Sequence, residues 1–271
     1  MGRGTAVIFG ALAGAMLIFP GEAAEAAAQG LSLWARSVAP VLGPFMICML
    51  MISSRIKGGA SIRVLMGWLC GSPGGAKLTS ALQPGKKTAL RLAALTGTMS
   101  PMFFLGTVAS WLNDADMGRI ILLCHILGAA LTALILPRGE KAQKAVPSPL
   151  PLSSALKESA LSLLMIALCM MLGCVSAKMA GCALPRLPVW TAAALQCTLE
   201  VTAGIEKLIG LSPPHLPALV CGACSFGGLS ILLQNAAFWH PCGISLGHLL
   251  LIRALHGAIS ILLCLFLVNI L

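Results

Sequence analysis

Long stretches of this sequence carry almost no charge, and several approach or exceed about 20 residues, the length that a helix needs to cross a bilayer. In lipid, only helices and closed barrels satisfy their own backbone hydrogen bonds. The composition agrees, because 58% of the residues are hydrophobic and only 10% are charged. We therefore predict an all-α membrane protein, a polytopic helical bundle whose surroundings are the lipid bilayer.

Basic residues follow the borders of these apolar stretches. The formal net charge is +10, but the basic side chains collect in loops instead of forming a stripe interleaved with aromatic residues. Loops of this kind lie on the cytoplasmic side under the positive-inside rule, so we expect no nucleic acid partner. The clustered residues are Arg55, Lys57, Arg63, Lys86, Lys87 and Arg91, followed by Arg138, Lys141, Lys144 and Lys157.

The loop charges give an order of crossings. Residues 1–30 would form an N-terminal membrane helix, with a cleaved signal peptide as the alternative because small residues follow the apolar run. Residues 31–137 and 157–271 form two blocks, joined by a cytoplasmic linker at 138–156. We predict about seven crossings, at residues 5–20, 31–53, 92–112, 119–136, 158–177, 216–238 and 246–271.

Each block contains a short polar or glycine-rich segment where a spanning helix would be expected. In the first block it is GSPGGAKLTSAL at residues 71–82, and in the second it lies at 189–209. Gly75 shifted by 129 residues lands on Gly204, and the helix from Ile126 lands on that from Leu255 by the same shift. An odd number of crossings separates the blocks. The sequence therefore predicts an inverted repeat with two re-entrant or broken-helix hairpins, an architecture of secondary transporters.

Five segments, in this order, resemble the sporulation integral membrane protein YlbJ family, also called SpoVV. They are LSLWARSVAPVLGPFMI, GSPGGAKLTS, TMSPMFFLGTVA, LEVTAG and SFGGLSILLQ. The resemblance covers nearly the whole chain from about Gly30 onward. It implies the nucleoside-recognition or Gate fold in both blocks, the membrane of the sporulating cell or forespore, and a role in moving dipicolinic acid, an aromatic dicarboxylate. Partners would then include other sporulation membrane proteins or a second copy of this chain.

The hairpin tips supply the candidate binding residues for a small-molecule anion. Gly74 and Gly75 would free backbone N–H groups at the start of a helix that begins near Ala76, and Lys77 would add a full charge there. The alternative for Lys77 is a side chain that reaches the membrane surface. Glu200 lies within an apolar segment, so it needs a partner such as Lys77 or a coupled proton. The predicted set is Ser72, Gly74, Gly75, Lys77, Thr98, Ser100, Glu200, Thr202, Ser225, Gly227, Gly228, Ser230 and Gln234.

Other chemistries have little support in the sequence. Cys221 and Cys224 form a CxxC without a second pair nearby, so we expect neither a metal nor a cofactor. The sequence contains no HExxH or GxSxG motif, which argues against an enzyme. His125 and His256 are expected to pack between helices, whereas Arg253 needs a counter-charge. Three interpretations stay open: a small-anion carrier, a non-transporting membrane assembly factor in sporulation, and a carrier of nucleoside-like solutes.

Overall fold

The structure is a computed structural model, and it describes residues 3–56, 59–140, 142 and 149–270. Within these ranges the regular structure is entirely helical. Five helical stretches are long and apolar enough to cross a bilayer, which confirms an all-α membrane bundle. They are Pro20–Ser53, Ala115–Ile135, Leu152–Ala183, Leu216–Cys242 and Leu246–Val268.

The helices form two groups, one on each side of the linker. The first group comprises α1 (Arg3–Ile18), α2 (Pro20–Leu33), α3 (Ala39–Ser53), α4 (Ala60–Cys70), α5 (Gly74–Ser80), α6 (Lys86–Thr96), α7 (Ala109–Leu112) and α8 (Ala115–Ile135). The second comprises α9 (Leu152–Ala183), α10 (Val189–Leu199), α11 (Val201–Leu211), α12 (Leu216–Phe226), α13 (Gly228–Trp239) and α14 (Leu246–Val268).

The N-terminal region differs from the predicted division into spans at 5–20 and 31–53. The chain bends at Phe19, and a single helical stretch of 34 residues, Pro20–Ser53, follows. The alanine-rich residues 23–28 favour a helix, and Glu25 pairs with Lys178 of α9 at 3.0 Å. The predicted boundary at residue 30 thus falls inside a helix. With 16 residues, α1 is shorter than the roughly 20 that a crossing needs.

Two short π-helical segments interrupt the α-helical hydrogen bonding, at Trp34–Val38 between α2 and α3 and at Phe103–Val108 before α7. In the first, the Ala39 N–H donates to the Trp34 carbonyl, which accommodates one extra residue in the turn. Val38 and Phe103, one from each segment, both line a central cavity. Single π-helical turns are frequent at functional sites, so both interruptions draw attention to this cavity.

The two groups repeat the same order of elements. Each has a long helical stretch, a hairpin of two short helices, a helix broken in its middle, and a second long helix. The separations agree with the 129-residue shift found in the sequence. Corresponding helices begin 129 to 131 residues apart: α4 and α10 at Ala60 and Val189, α6 and α12 at Lys86 and Leu216, α8 and α14 at Ala115 and Leu246.

The two hairpins enter the bundle from opposite ends. The Leu150 N–H, beside the linker, donates to Ser54 Oγ at 3.2 Å, and the Cys242 thiol approaches the Ser80 carbonyl at 3.9 Å. The α4–α5 hairpin therefore opens at this linker end. The α10–α11 hairpin opens at the opposite end, where Ala192 shares a recess with Lys178. The repeat is inverted, as predicted.

Several predicted boundaries move. The first hairpin begins at Ala60, before the predicted 71–82 segment, because 60–70 already form a helix with an apolar face. The helix α9 extends the predicted 158–177 span at both ends and shortens the linker at 138–156. Within that linker, residues 141 and 143–148 lie outside the described residues, and so does Lys57. The predicted crossing at 92–112 corresponds to the broken stretch 86–112, which is not among the five long apolar stretches.

Candidate functional site

The two hairpin tips meet at a cavity in the middle of the bundle. Ser72 lies between α4 and α5, Glu200 lies between α10 and α11, and both line the same space. The cavity measures about 40 Å³, which is room for about three water molecules. Its polar lining comes from six residues predicted from the sequence: Ser72, Ser100, Glu200, Thr202, Ser230 and Gln234.

The lining follows the repeat. Several lining residues occur in pairs that are 128 positions apart, so the cavity lies where the two halves of the molecule are related to each other. Sequence reasoning missed the apolar members of these pairs, although the repeat shift applied to the first long helix would point to them. The pairs are Val38 with Ile166, Leu42 with Met170, Ser72 with Glu200, and Phe103 with Ile231.

The first tip is held against the break that follows α6. The Ser72 N–H donates to the Thr98 carbonyl at 2.7 Å. Gly71 has a φ of 68°, and a Cβ on it would lie 2.4 Å from the Ser100 nitrogen, so only glycine fits. On the other side, Asn235 Nδ2 donates to Ser72 Oγ at 3.2 Å. Because this oxygen accepts from Asn235, its own proton stays available to a ligand.

The second tip carries a buried acid. Glu200 is 1% exposed and precedes α11, where its Oε2 accepts a hydrogen bond from the Ala203 N–H at 2.6 Å. A carboxylate at bilayer depth costs about 2–3 kcal/mol, and the positive end of the α11 dipole offsets part of this cost. None of the ion pairs between described residues includes Glu200. The cavity therefore contains one carboxylate without a basic side chain beside it.

Hydroxyl and amide groups complete the polar lining. Ser230 and Gln234 lie one turn apart on α13 and are 2% and 3% exposed. Among the described atoms, Ser230 Oγ has no hydrogen-bond partner. Buried polar groups are nearly always paired with protein or water, so an unpaired hydroxyl in a cavity wall indicates a place for a water or a ligand.

Six further predicted residues support the cavity without lining it: Gly74, Gly75, Thr98, Ser225, Gly227 and Gly228. The glycines permit close packing. A Cβ on Gly75 would lie 2.5 Å from the Thr96 carbonyl oxygen, and one on Gly228 would lie 3.0 Å from the Cys197 carbonyl oxygen. Gly228 therefore packs closely against the tip of the second hairpin.

Lys77 lies away from the cavity, at the linker end. Its ammonium forms an ion pair with Glu158 of α9, and its side chain is 37% exposed. The helix α5 begins at Gly74, two residues before the predicted start near Ala76, which places Lys77 almost one turn beyond the tip. The pairing of Lys77 with Glu200 that the sequence allowed does not occur. Glu206 shares the recess at the opposite end with Lys207, as expected for an interfacial acid.

Two histidines connect the helix breaks. The rings of His125 on α8 and His256 on α14 lie 4.8 Å apart. The Met99 N–H donates to His125 Nε2 at 3.1 Å, so the proton of His125 is on Nδ1, which donates to Ser225 Oγ at 2.7 Å. His256 Nε2 donates to the His125 carbonyl at 2.8 Å. These contacts agree with the packing role expected for both rings.

Arg253 lies where both broken helices end. It is 2% exposed, and its Nε donates to the carbonyl of Phe226, the last residue of α12, at 3.2 Å. A Cβ on Gly97, just after α6, would lie 3.0 Å from Arg253 Nη1. Helix C-termini carry partial negative charge, so two of them stabilise the guanidinium. No described salt bridge includes Arg253, and helix ends stand in place of the expected counter-charge.

Comparison with known proteins gives one relative. The chain is similar to the sporulation integral membrane protein YlbJ of Bacillus subtilis (strain 168), with 30% identity over 141 residues. The match covers 43% of this chain and 35% of that protein, so it spans about a third of the relative's length. No family model and no solved structure matches.

The chain is a multi-pass membrane protein. Its five long apolar helical stretches and its similarity to an integral membrane protein agree on this point. The partial match supports the resemblance to the YlbJ family that the sequence motifs indicate. The Gate fold, which rests on that resemblance, stays a prediction.

Proposed function

We propose that the protein carries a small carboxylate-bearing anion across a membrane during sporulation, with dipicolinate as the first candidate. The observation that carries this proposal is the small central cavity, with apolar walls and a cluster of polar groups, at which two oppositely inserted hairpin tips meet. Secondary transporters built from inverted repeats bind their substrates at such a place, near the middle of the membrane. The name of the YlbJ relative supports the setting in sporulation.

A recess lies on each side of the cavity, with one hairpin helix in between. At the opposite end, a recess of about 690 Å³ reaches Ala203 of α11, whose neighbour Thr202 lines the cavity. At the linker end, a recess of about 330 Å³ reaches Lys77 and Leu78 of α5, whose hairpin places Ser72 in the cavity. Movement of one hairpin would open the cavity to one side only, as alternating access requires.

The polar lining offers donors to a carboxylate. The helices α11 and α13, of 11 and 12 residues, begin beside the cavity, and helix N-termini attract negative charge. The unpaired Ser230 hydroxyl and the Gln234 amide lie within the first two turns of α13. Basic residues at the linker end, Arg63 and Lys77 among them, would raise the local concentration of anions.

In the described conformation the cavity is too small for dipicolinate. Pockets that hold drug-sized ligands measure about 300–1,000 Å³, whereas the cavity measures about 40 Å³. An aromatic dicarboxylate therefore needs a conformation in which a hairpin has moved. We expect the apolar pairs, such as Phe103 with Ile231, to separate in that conformation and to contact the two faces of the ring.

Uptake of labelled dipicolinate into proteoliposomes tests the proposal. Ser230→Ala should lower uptake about tenfold, because the hydrogen bond it removes is made to a charged oxygen. Ser176→Ala is the matched control, since the Ser176 hydroxyl bonds to Leu172 of its own helix and does not line the cavity. If correctly inserted wild-type protein moves no dicarboxylate under any ion gradient, the carrier proposal is overturned. The alternative of a non-transporting sporulation factor then takes its place.

A nucleoside-like solute is the second candidate. The observation in its favour is that the cavity is lined by hydroxyls, an amide and one carboxylate, without a Lys or Arg side chain among the described lining residues. A neutral solute with sugar hydroxyls could bind these groups without a countercharge. Competition separates the candidates. For an anion carrier, an excess of unlabelled uridine should leave dipicolinate uptake unchanged. If uridine inhibits dipicolinate uptake and is itself taken up, the neutral solute is favoured.

A further inference from the structure

The buried carboxylate of Glu200 has no charged partner within the described structure. Two basic side chains that could have paired with Glu200 are engaged elsewhere. Lys77 pairs with Glu158, and Arg253 donates to the Phe226 carbonyl at the end of α12. The single described hydrogen bond to Glu200 Oε2 comes from the Ala203 N–H. An acid in such surroundings is neutralised either by a proton or by a cation that the side chains do not supply.

The cavity brings oxygen atoms together around this acid. Hydroxyls of Ser72, Ser100, Thr202 and Ser230 and the amide of Gln234 line the same small space. Ser230 Oγ, in a side chain that is 2% exposed, has no partner among the described atoms. Carboxylate, carbonyl, hydroxyl and water oxygens are the ligands of hard metal cations; the described lining also contains the thioethers of Met99 and Met170, but no His or Cys.

The charge and size of the cavity favour a monovalent ion. One carboxylate balances one positive charge, but a divalent ion would leave an excess charge in a region of low dielectric constant. Space for about three water molecules accommodates one ion and one or two of its waters. Sites for sodium in inverted-repeat transporters likewise use interrupted helices near the midplane.

We infer that the central cavity binds one monovalent metal cation, with sodium as the first candidate, through Glu200 and the hydroxyl of Ser230. The bound cation neutralises Glu200, which otherwise repels any anion that enters. In the carrier, and therefore resting on the proposed function, cation binding precedes anion binding, and the two cross together. Cation binding itself requires neither the anion nor transport.

Thermal unfolding of the purified protein in detergent tests the site. Sodium chloride is titrated against choline chloride at constant ionic strength and constant pH. Above the dissociation constant, the melting midpoint should rise by about 3–5 °C for each tenfold increase in sodium. Lithium and potassium in place of sodium define the preference, and a response to any of the three that depends on Glu200 supports the site.

Three variants decide whether the response belongs to this cavity. Glu200→Gln should abolish it, and Ser230→Ala should shift it to at least tenfold higher sodium while the Glu200 cap on α11 is kept. Glu158→Gln is the control, because Glu158 pairs with Lys77 at the linker end and does not line the cavity. An equal sodium response in Glu200→Gln, or a wild-type protein that responds to pH but to no metal cation, would overturn the site.

The outcome is separable from that of the proposed function. A protein that shows the Glu200-dependent sodium response but moves no dipicolinate retains the cation site and loses the anion carrier. A protein that moves dipicolinate at the same rate in sodium-free and sodium-containing buffer retains the carrier and loses the cation site as a coupling site.

Discussion

The two hairpins have the same backbone plan and different chemistry. Both consist of two short helices, and both keep a glycine at the same place, Gly75 in the first and Gly204 in the second. At the tips, however, the first carries the neutral Ser72 and the second carries the buried acid Glu200. The repeat therefore preserves what close packing requires and leaves the charge at the centre free to differ between the halves.

The difference also extends to the outer parts of the hairpins. In the first, Lys77 is balanced by Glu158 near the linker end, where its side chain is partly exposed. In the second, Glu206 lies beside Lys207 in the outer recess, whereas Glu200 lies at the tip and forms no described ion pair. Exposed charges are screened by water, whereas a charge at the centre acts at short range on whatever enters. Function should thus depend on the second tip more than on the charges of the first hairpin.

The largest effect should come from breaking what the hairpins share. A Cβ on Gly75 would lie 2.5 Å from the Thr96 carbonyl oxygen, and one on Gly204 would lie 2.5 Å from the Cys197 nitrogen. Gly75→Leu and Gly204→Leu should each cost more than about 3 kcal/mol of unfolding free energy. Gly210→Leu is the control, because no atom lies near its added Cβ. Denaturation in detergent measures this, and a cost at only one of the two hairpins would contradict the shared packing.

Making the tips more alike should have the next largest effect. Ser72→Asp would put a second carboxylate into the cavity beside Glu200, and we expect a loss of about 2–3 kcal/mol in the absence of metal cations. Ser80→Asp on the partly buried end of α5 should cost less, because it lies toward the linker end. Chemical unfolding of both variants measures the difference. Equal losses would show that the cavity does not concentrate charge.

A smaller effect is expected where the halves touch across the cavity. Asn235→Ala removes the hydrogen bond from Asn235 Nδ2 to Ser72 Oγ, and this should cost about 1 kcal/mol. The loss in the double variant Ser72→Ala/Asn235→Ala should be smaller than the sum of the losses in the two single variants, because both substitutions remove the same bond. A double-mutant cycle in unfolding free energy checks this coupling, and additive losses would mean that the bond contributes nothing.

The smallest effect is expected at Lys77. Its ion pair with Glu158 is partly exposed, so Lys77→Ala should change stability by less than about 1 kcal/mol. Uptake in proteoliposomes should fall by no more than a few fold, compared with the roughly tenfold loss expected of Ser230→Ala. Lys87→Ala, at the exposed start of α6, is the control. If Lys77→Ala lowers uptake as much as Ser230→Ala does, Lys77 takes part in anion binding.

The sequence was sufficient for the features that follow from hydrophobic length and repeat spacing. The apolar stretches predict the bundle, and the shift of 129 predicts two hairpins. Their tips are expected at Pro73 to Lys77 and at Thr202 to Glu206, whereas the chain turns slightly earlier, around Ser72 and at Glu200. The position of Lys77 could not be predicted, because the start of α5 depends on where the chain turns at Gly71 against Ser100. A difference of two residues at a helix start rotates a side chain by about 200° around the axis.

Two further features could not be predicted from the sequence: the continuous helix from Pro20 and the position of Arg253. The first depends on a contact with a distant helix, the pairing of Glu25 with Lys178. The second depends on two helix ends from different halves reaching the same point, and partial charges of helix ends are invisible in a residue pattern. The expected counter-charge for Arg253 was wrong for this reason.

The position of Arg253 limits which parts of the molecule can move. Its Nε donates to the end of α12 and its Nη1 lies close to Gly97 at the end of α6, in the other half, although neither Nη has a hydrogen-bond partner among the described atoms. Pulling these ends apart would leave the guanidinium charge without stabilising groups in a region of low dielectric constant. We therefore expect the crossing of the broken helices to stay fixed. The first hairpin is held to the other half by weaker contacts: the bond from Asn235 to Ser72, the partly exposed ion pair of Lys77 with Glu158, and the Cys242 thiol near the Ser80 carbonyl. Motion of the molecule should therefore resemble two flaps that swing around a stationary pivot.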